Sequence, residues 1–182
     1  MIIYEDRLVV IPTLSPTVAA PDIHSWFLDN VAHLTGSPIT PATTPAEIRA
    51  KILRVEELLT ESVQTGETVD TNPMMKLNHV FAEGVYLREM LITAGNLIIG
   101  KIHRHCLVNF ISYGRVSVIT EFEGVRVYEG PCTFTSPAGT KRLLFTHTDT
   151  LWSGVHPTNE TDLAKIEEQF IAKNYEELKC LP

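Results

Sequence analysis

Gly100-Lys101-Ile102-His103-Arg104-His105 is the stretch on which the reading of this chain turns. On a strand, alternate side chains share a face, so His103 and His105 are expected to project together. Neighbouring imidazoles are costly to charge simultaneously. They suit a shared metal, or a hydrogen-bonded pair that stays neutral. A histidine at every second position also arises by chance on a solvent-facing strand, so the surroundings decide.

Outward from this point the chain reads as short β-forming runs broken by turn residues. The runs are Val85–Ile92, Leu97–Ile102, Leu107–Ser112, Val116–Glu121, Val125–Tyr128, Cys132–Thr135, Arg142–Phe145 and Leu151–His156. Turns fall at Ala94-Gly95-Asn96, Tyr113-Gly114, Glu123-Gly124, Glu129-Gly130-Pro131 and Ser136-Pro137-Ala138-Gly139. Such even spacing predicts an all-β sandwich or barrel, not alternating βα units.

The order of chemical groups is informative as well. Asn109 follows four residues after His105, then come Gly114, Gly130 and the Ser136–Gly139 turn. This resembles the signature of the cupin superfamily over about residues 84–156. In that signature HxH precedes a glutamate and a glycine, and PxG precedes a further histidine. The resemblance implies a cupin-type β-barrel, a double-stranded β-helix or jelly roll, with His103, His105, Asn109 and His156 as candidate ligands. A divalent Fe, Mn, Ni or Zn ion is one expectation, and no metal the equal alternative. Phe81–Tyr86, Gly100–His103, Ser136–Arg142 and Asp149–Trp152 are further similar to small cupin-like proteins encoded by tailed bacteriophages. That likeness implies a phage origin, location in the host cytoplasm or virion, and other phage particle proteins as partners.

The departures from the signature carry equal weight. Asn109 stands where the glutamate is usual, and Arg142 stands where the next histidine is usual. Arginine remains protonated and cannot ligate a cation, and a guanidinium near His103 and His105 would lower both imidazole pKa values. For a replacement third histidine the candidates are His147 and His156, with none as the remaining option. If Arg142 faces inward, Leu144 and Thr146 face inward too and His147 outward. His156 shares a face with Trp152 and Gly154 and is preferred. His24, His33 and His79 lie outside the motifs and read as structural.

In Val85-Tyr86-Leu87-Arg88-Glu89-Met90, alternation sets Tyr86, Arg88 and Met90 on one face. Either face carries a charge, so the strand lies at an edge or borders a polar cavity. A solvated Arg88–Glu89 pair is the plain reading. The sharper one joins Arg88 to Arg142, with Tyr86 beside them, as a pocket for a small carboxylate or phosphate.

Before the barrel, Ile23, Trp26, Phe27, Val31 and Leu34 recur at helical spacing after Asp22, with Gly36 closing the helix. Thr44, Pro45 and Glu47 read as cap, first-turn proline and capping-box acid of a second helix whose stripe is Ile48, Ile52, Val55, Leu58 and Leu59. Gly66 lies beyond that helix, and 65–77 reads as linker. A tail helix over 161–178 carries the stripe Leu163, Ile166, Phe170 and Ile171. The expected organisation is an arm and helical segment at 1–78, the barrel at 79–157 and an amphipathic helix at 158–182. Leu8-Val9-Val10-Ile11 fits a strand or an extended arm.

Composition narrows the function. A net charge of -7, from 15 basic and 22 acidic residues, and no basic run argue against nucleic acid. No apolar run approaches the about 20 residues needed to span a bilayer. Glu5 and Asp6 argue against a secretory leader. Cys106, Cys132 and Cys180 form no CxxC pair, and a reducing compartment is the simplest reading. What remains is a non-catalytic structural or binding barrel in a homo-oligomeric assembly, which the lost ligands favour. A metal-dependent oxygenase or isomerase using His103 and His105 is the alternative. Metal-free proton transfer, with His147 and Asp149 near each other, comes last.

Overall fold

The structure, a computed structural model, describes residues 8–9, 20–65 and 75–180. Val10, Ile11, Gly66 and the linker 66–74 lie outside the described residues. The order is β1 (Leu8–Val9), α1 (Ala20–Thr35), α2 (Pro45–Thr65), β2 (Met75–Ala82), β3 (Val85–Ile92), β4 (Leu97–Ile99), β5 (Ile102–His103) and β6 (Leu107–Tyr113). There follow β7 (Arg115–Thr120), β8 (Gly124–Glu129), β9 (Cys132–Ser136), β10 (Leu143–Thr146) and β11 (Thr150–His156). The tail consists of α3 (Leu163–Phe170), β12 (Ile171–Ala172) and a 3₁₀ helix, Tyr175–Cys180.

Two five-stranded antiparallel sheets make the barrel, ordered β1-β4-β10-β7-β8 and β2-β3-β11-β6-β9. Their inner faces meet in one apolar cluster, where Ile98, Val116, Val118 and Leu144 of the first sheet pack against Met75, Ile92, Ile111 and Trp152 of the second. This is the jelly-roll barrel of cupin type expected from the sequence.

The two sheets differ in patterning because they differ in cover. In the first, Leu97-Ile98-Ile99 and Leu143-Leu144-Phe145 are buried without interruption. Their outward side chains Leu97, Ile99, Leu143 and Phe145 pack under Phe27 and Val31 of α1 and Ile48, Ile52 and Val55 of α2. A continuous apolar run is the mark of a strand covered on both faces. In the second sheet β6 alternates, with Leu107, Asn109 and Ile111 buried and Val108 and Phe110 exposed.

The start of α2 forms as the sequence predicts. Thr44 N–H donates to Glu47 Oε2 at 2.7 Å, and Glu47 N–H donates back to Thr44 Oγ1 at 3.3 Å. Other boundaries move. Helix α1 begins at Ala20, before Asp22, and the presumed linker end, 75–77, is already strand β2. The run 97–102 divides into β4 and β5. The tail helix ends at Phe170, because Ile171 and Ala172 pair with His103 and Ile102. Its stripe covers its own barrel, burying Ile166 and Phe170 against Tyr86. No described helix is long and apolar enough to cross a membrane.

Candidate functional site

Between the sheets lies a cavity of about 50 Å³ open to the centres of water-sized groups. The space admits a small ligand. Pairing register orders its wall by level. Arg88 lies opposite Gly154, and Met90 opposite Trp152, on β3 and β11. Ile98 lies opposite Leu144, while Gly100 N–H donates to the Arg142 carbonyl at 2.8 Å. Arg88, Lys101, His103, Arg142 and His156 therefore surround one end of the cavity, and Met90, Ile92, Ile98, Leu144 and Trp152 the other.

Arg142 is buried, with 6% of its surface exposed. Its Nη2 donates to Ser136 Oγ, and its guanidinium carbon sits 5.5 Å from the centre of the Trp152 ring. No carboxylate among the described residues reaches salt-bridge distance of it. Burial lowers its pKa to about 10, partly offset by the more distant Tyr128 and Glu123, so it remains charged at neutral pH. Ser136 is held in turn by Asn109, whose Nδ2 donates to Ser136 Oγ at 2.9 Å. Asn109 Oδ1 accepts from Trp152 Nε1 at 3.1 Å. A rigid polar frame thus aims the guanidinium.

The histidines form the other half. His156 stacks on His103 with ring centres 6.0 Å apart and on Tyr86 at 5.3 Å, and Phe170 meets it edge-on at 4.8 Å. His156 Nδ1 is buried without a hydrogen-bond partner among the described residues. Burial, then the charge of Arg88, lowers its pKa to about 4. His103 is held well below its ordinary value by burial, then by Arg142, His156, Arg88 and Lys101. Every charge acting on it is positive.

The residues singled out in the sequence divide accordingly. His103, His156, Arg88, Arg142 and Asn109 line one cavity. His105 does not. The strand ends at His103, where β12 pairs with it and Arg104 N–H donates to the Phe170 carbonyl at 2.8 Å, so alternation stops and His105 turns out to solvent. Asn109 faces inward, but its oxygen is taken by the Trp152 indole. Tyr86 is buried beside the cavity, its hydroxyl 2.7 Å from His79 Nδ1. His147 lies across the sheet, where Ser117 Oγ bridges its Nε2 at 2.7 Å and His24 Nδ1 at 2.6 Å.

These donors do not fit a divalent cation. His103 and His156 are the imidazoles at the cavity wall, no carboxylate joins them, and Arg88, Lys101 and Arg142 share the wall. No cluster of three or more His, Cys, Asp or Glu among the described residues is placed to hold a metal ion. Positive charge repels a cation and attracts an anion. Ser136, Lys101 and Phe170 were missed from the sequence. Ser136 opens the PxG-like turn, a signal that was available. Phe170 had none, because its contact with His156 spans distant segments.

No family model matches the chain, and no curated protein matches it. Solved structures resemble it weakly. Ectoine synthase from P. lautus is 14% identical, over 57% of this chain and 78% of that one, with a TM-score of 0.46. KdgF from Halomonas sp. is 17% identical, over 52% and 88%, at 0.43. A cupin domain from Bordetella pertussis Tohama I is 16% identical, over 48% and 97%, at 0.38. The likeness says nothing of ligand or reaction. The fold rests on the strand order and register given above.

Proposed function

We propose that this protein is a non-catalytic binding barrel that takes a small anion into its interior, within a homo-oligomeric assembly such as a phage particle. One observation carries the anion half. Arg142 is a buried cation that faces the cavity with no carboxylate partner among the described residues. Buried charges are normally paired, since an isolated one costs several kcal/mol. A bound anion would supply the missing partner, and Arg88 on the same wall adds to the attraction, whereas Lys101 is already paired with Glu167 Oε1 at 2.9 Å. The two histidines, kept neutral by burial, offer hydrogen bonds without adding negative charge.

The assembly half draws on the outer face of the second sheet. Val80, Val108 and Phe110 are exposed there, whereas the helices cover the first sheet. Light scattering of purified protein tests it, and a monomer at micromolar concentration would overturn it.

For the anion half, thermal unfolding is followed while phosphate, sulfate or acetate is titrated at constant ionic strength. Saturable stabilisation that disappears in Arg142→Met is expected. Absence of any effect, or an equal effect in Arg142→Met, would overturn the reading.

A further inference from the structure

The cavity wall is sorted along its length on both sheets, from arginine or glycine at one end to apolar side chains at the other. On β3, Arg88 gives way to Met90 and Ile92. On β11, Gly154 gives way to Trp152. Arg142, just before β10, gives way to Leu144 on it, and Gly100, just after β4, gives way to Ile98. The apolar residues Ile92, Ile98, Leu144 and Trp152 belong to one packed cluster, so they form a common floor. The floor has few hydrogen-bonding groups to offer. The indole N–H of Trp152 is already donated to Asn109, and Asn109 Nδ2 is spent on Ser136 and the Leu107 carbonyl.

We infer that the ligand is a short-chain monocarboxylate, its carboxylate at Arg142 and Arg88 and its apolar body against the floor made by Ile98, Leu144 and Trp152. This rests on the anion-binding reading above and deepens it. A planar carboxylate matches the two-pronged guanidinium fork. Phosphate or sulfate would leave oxygens facing the floor without donors, and a dicarboxylate would press its second charge against hydrocarbon; both are costly. The small volume argues for a short acid over a long one.

Gly154 sets the width of the cationic end. A methyl group there would sit 3.4 Å from Leu107 Cδ2 and 3.6 Å from His156 Nε2, ordinary contact distances, so alanine fits while occupying cavity space.

Calorimetric titration of the full chain with acetate, propionate, butyrate and hexanoate, beside inorganic phosphate and succinate, tests the inference. Affinity is expected to rise about fourfold per added methylene as far as butyrate, the factor that about 0.8 kcal/mol per buried CH₂ implies, and then to fall at hexanoate. Gly154→Ala is expected to move the optimum to a shorter acid. A series that is flat with chain length, or succinate or phosphate binding more tightly than butyrate, would overturn the monocarboxylate while leaving the anion site standing. If no anion binds at all, both readings fall.

Discussion

The guanidinium of Arg142 rests over the Trp152 ring, and Asn109 links the two, bonding Trp152 directly and Arg142 through Ser136. Trp152 donates to Asn109 Oδ1, while Asn109 Nδ2 and Arg142 Nη2 share Ser136 Oγ as acceptor. The charge is held by neutral groups alone, which creates an unusual expectation for its removal. Arg142→Met keeps the stem's apolar contacts and removes an isolated buried charge. Its stability in anion-free buffer is expected to lie within about 1 kcal/mol of wild type, or above it. Urea unfolding measures this, and a loss of several kcal/mol would mean that the charge has a partner after all.

The two histidines of the opening stretch should separate by mutation. His103 lines the cavity, and His105 is exposed with an edge contact to Phe170. His105→Ala is expected to change stability by no more than about 0.5 kcal/mol and to leave anion stabilisation intact. His103→Ala should weaken that stabilisation several-fold. Equal effects of the two variants would contradict the geometry.

Acid should destabilise the fold before the carboxylates titrate. His147 is lowered to about 4 by burial, then Arg115 and His24, and His156 to about 4 by burial, then Arg88, both from 6.5. Between those values the unfolded chain binds more protons than the folded one, so stability falls as pH falls. It is fully present above about pH 6.5 and is lost toward pH 4, by roughly 3 kcal/mol per ring at most. Urea midpoints at pH 7 and 5.5 in anion-free buffer give the slope. The slope should flatten in His147→Gln, and a midpoint that rises on acidification would refute the assignment.

Two glycines with positive φ should respond differently to alanine. At Gly114, with φ of 102°, a methyl group would lie 2.4 Å from Thr150 Oγ1 and 2.6 Å from the Asp149 carbonyl. At Gly84, with φ of 75°, it would meet open space. Gly84→Ala should cost about 1–2 kcal/mol of backbone strain. Gly114→Ala adds a backbone collision and is expected to yield insoluble protein. Comparable soluble yields and melting temperatures would show that the Gly114 turn gives way.

Strand positions were legible because each run alternates or stays apolar locally and ends at a turn residue. Val85–Ile92 matches β3 to the residue, and Cys132–Thr135 is short of β9 by Ser136 alone. β2 was not read from the sequence at all. Met75-Lys76-Leu77-Asn78 has an alternating pattern, but it directly follows a stretch rich in threonine, aspartate and proline that reads as linker.

Which side chains share a face was set by the amino-acid sequence alone: Tyr86 with Arg88 and Met90, and Trp152 with Gly154 and His156. Side-chain alternation is a local property of extended backbone, but which of the two faces turns inward depends on how the sheets pack, and for Arg88 and Arg142 the tertiary structure decided it. The fate of His105 and the closing of the aromatic stack by Phe170 belonged to the tertiary structure. Both depend on Ile171 and Ala172 pairing with β5 across a long intervening chain. No pattern within a single run encodes a hydrogen bond formed between two distant ones.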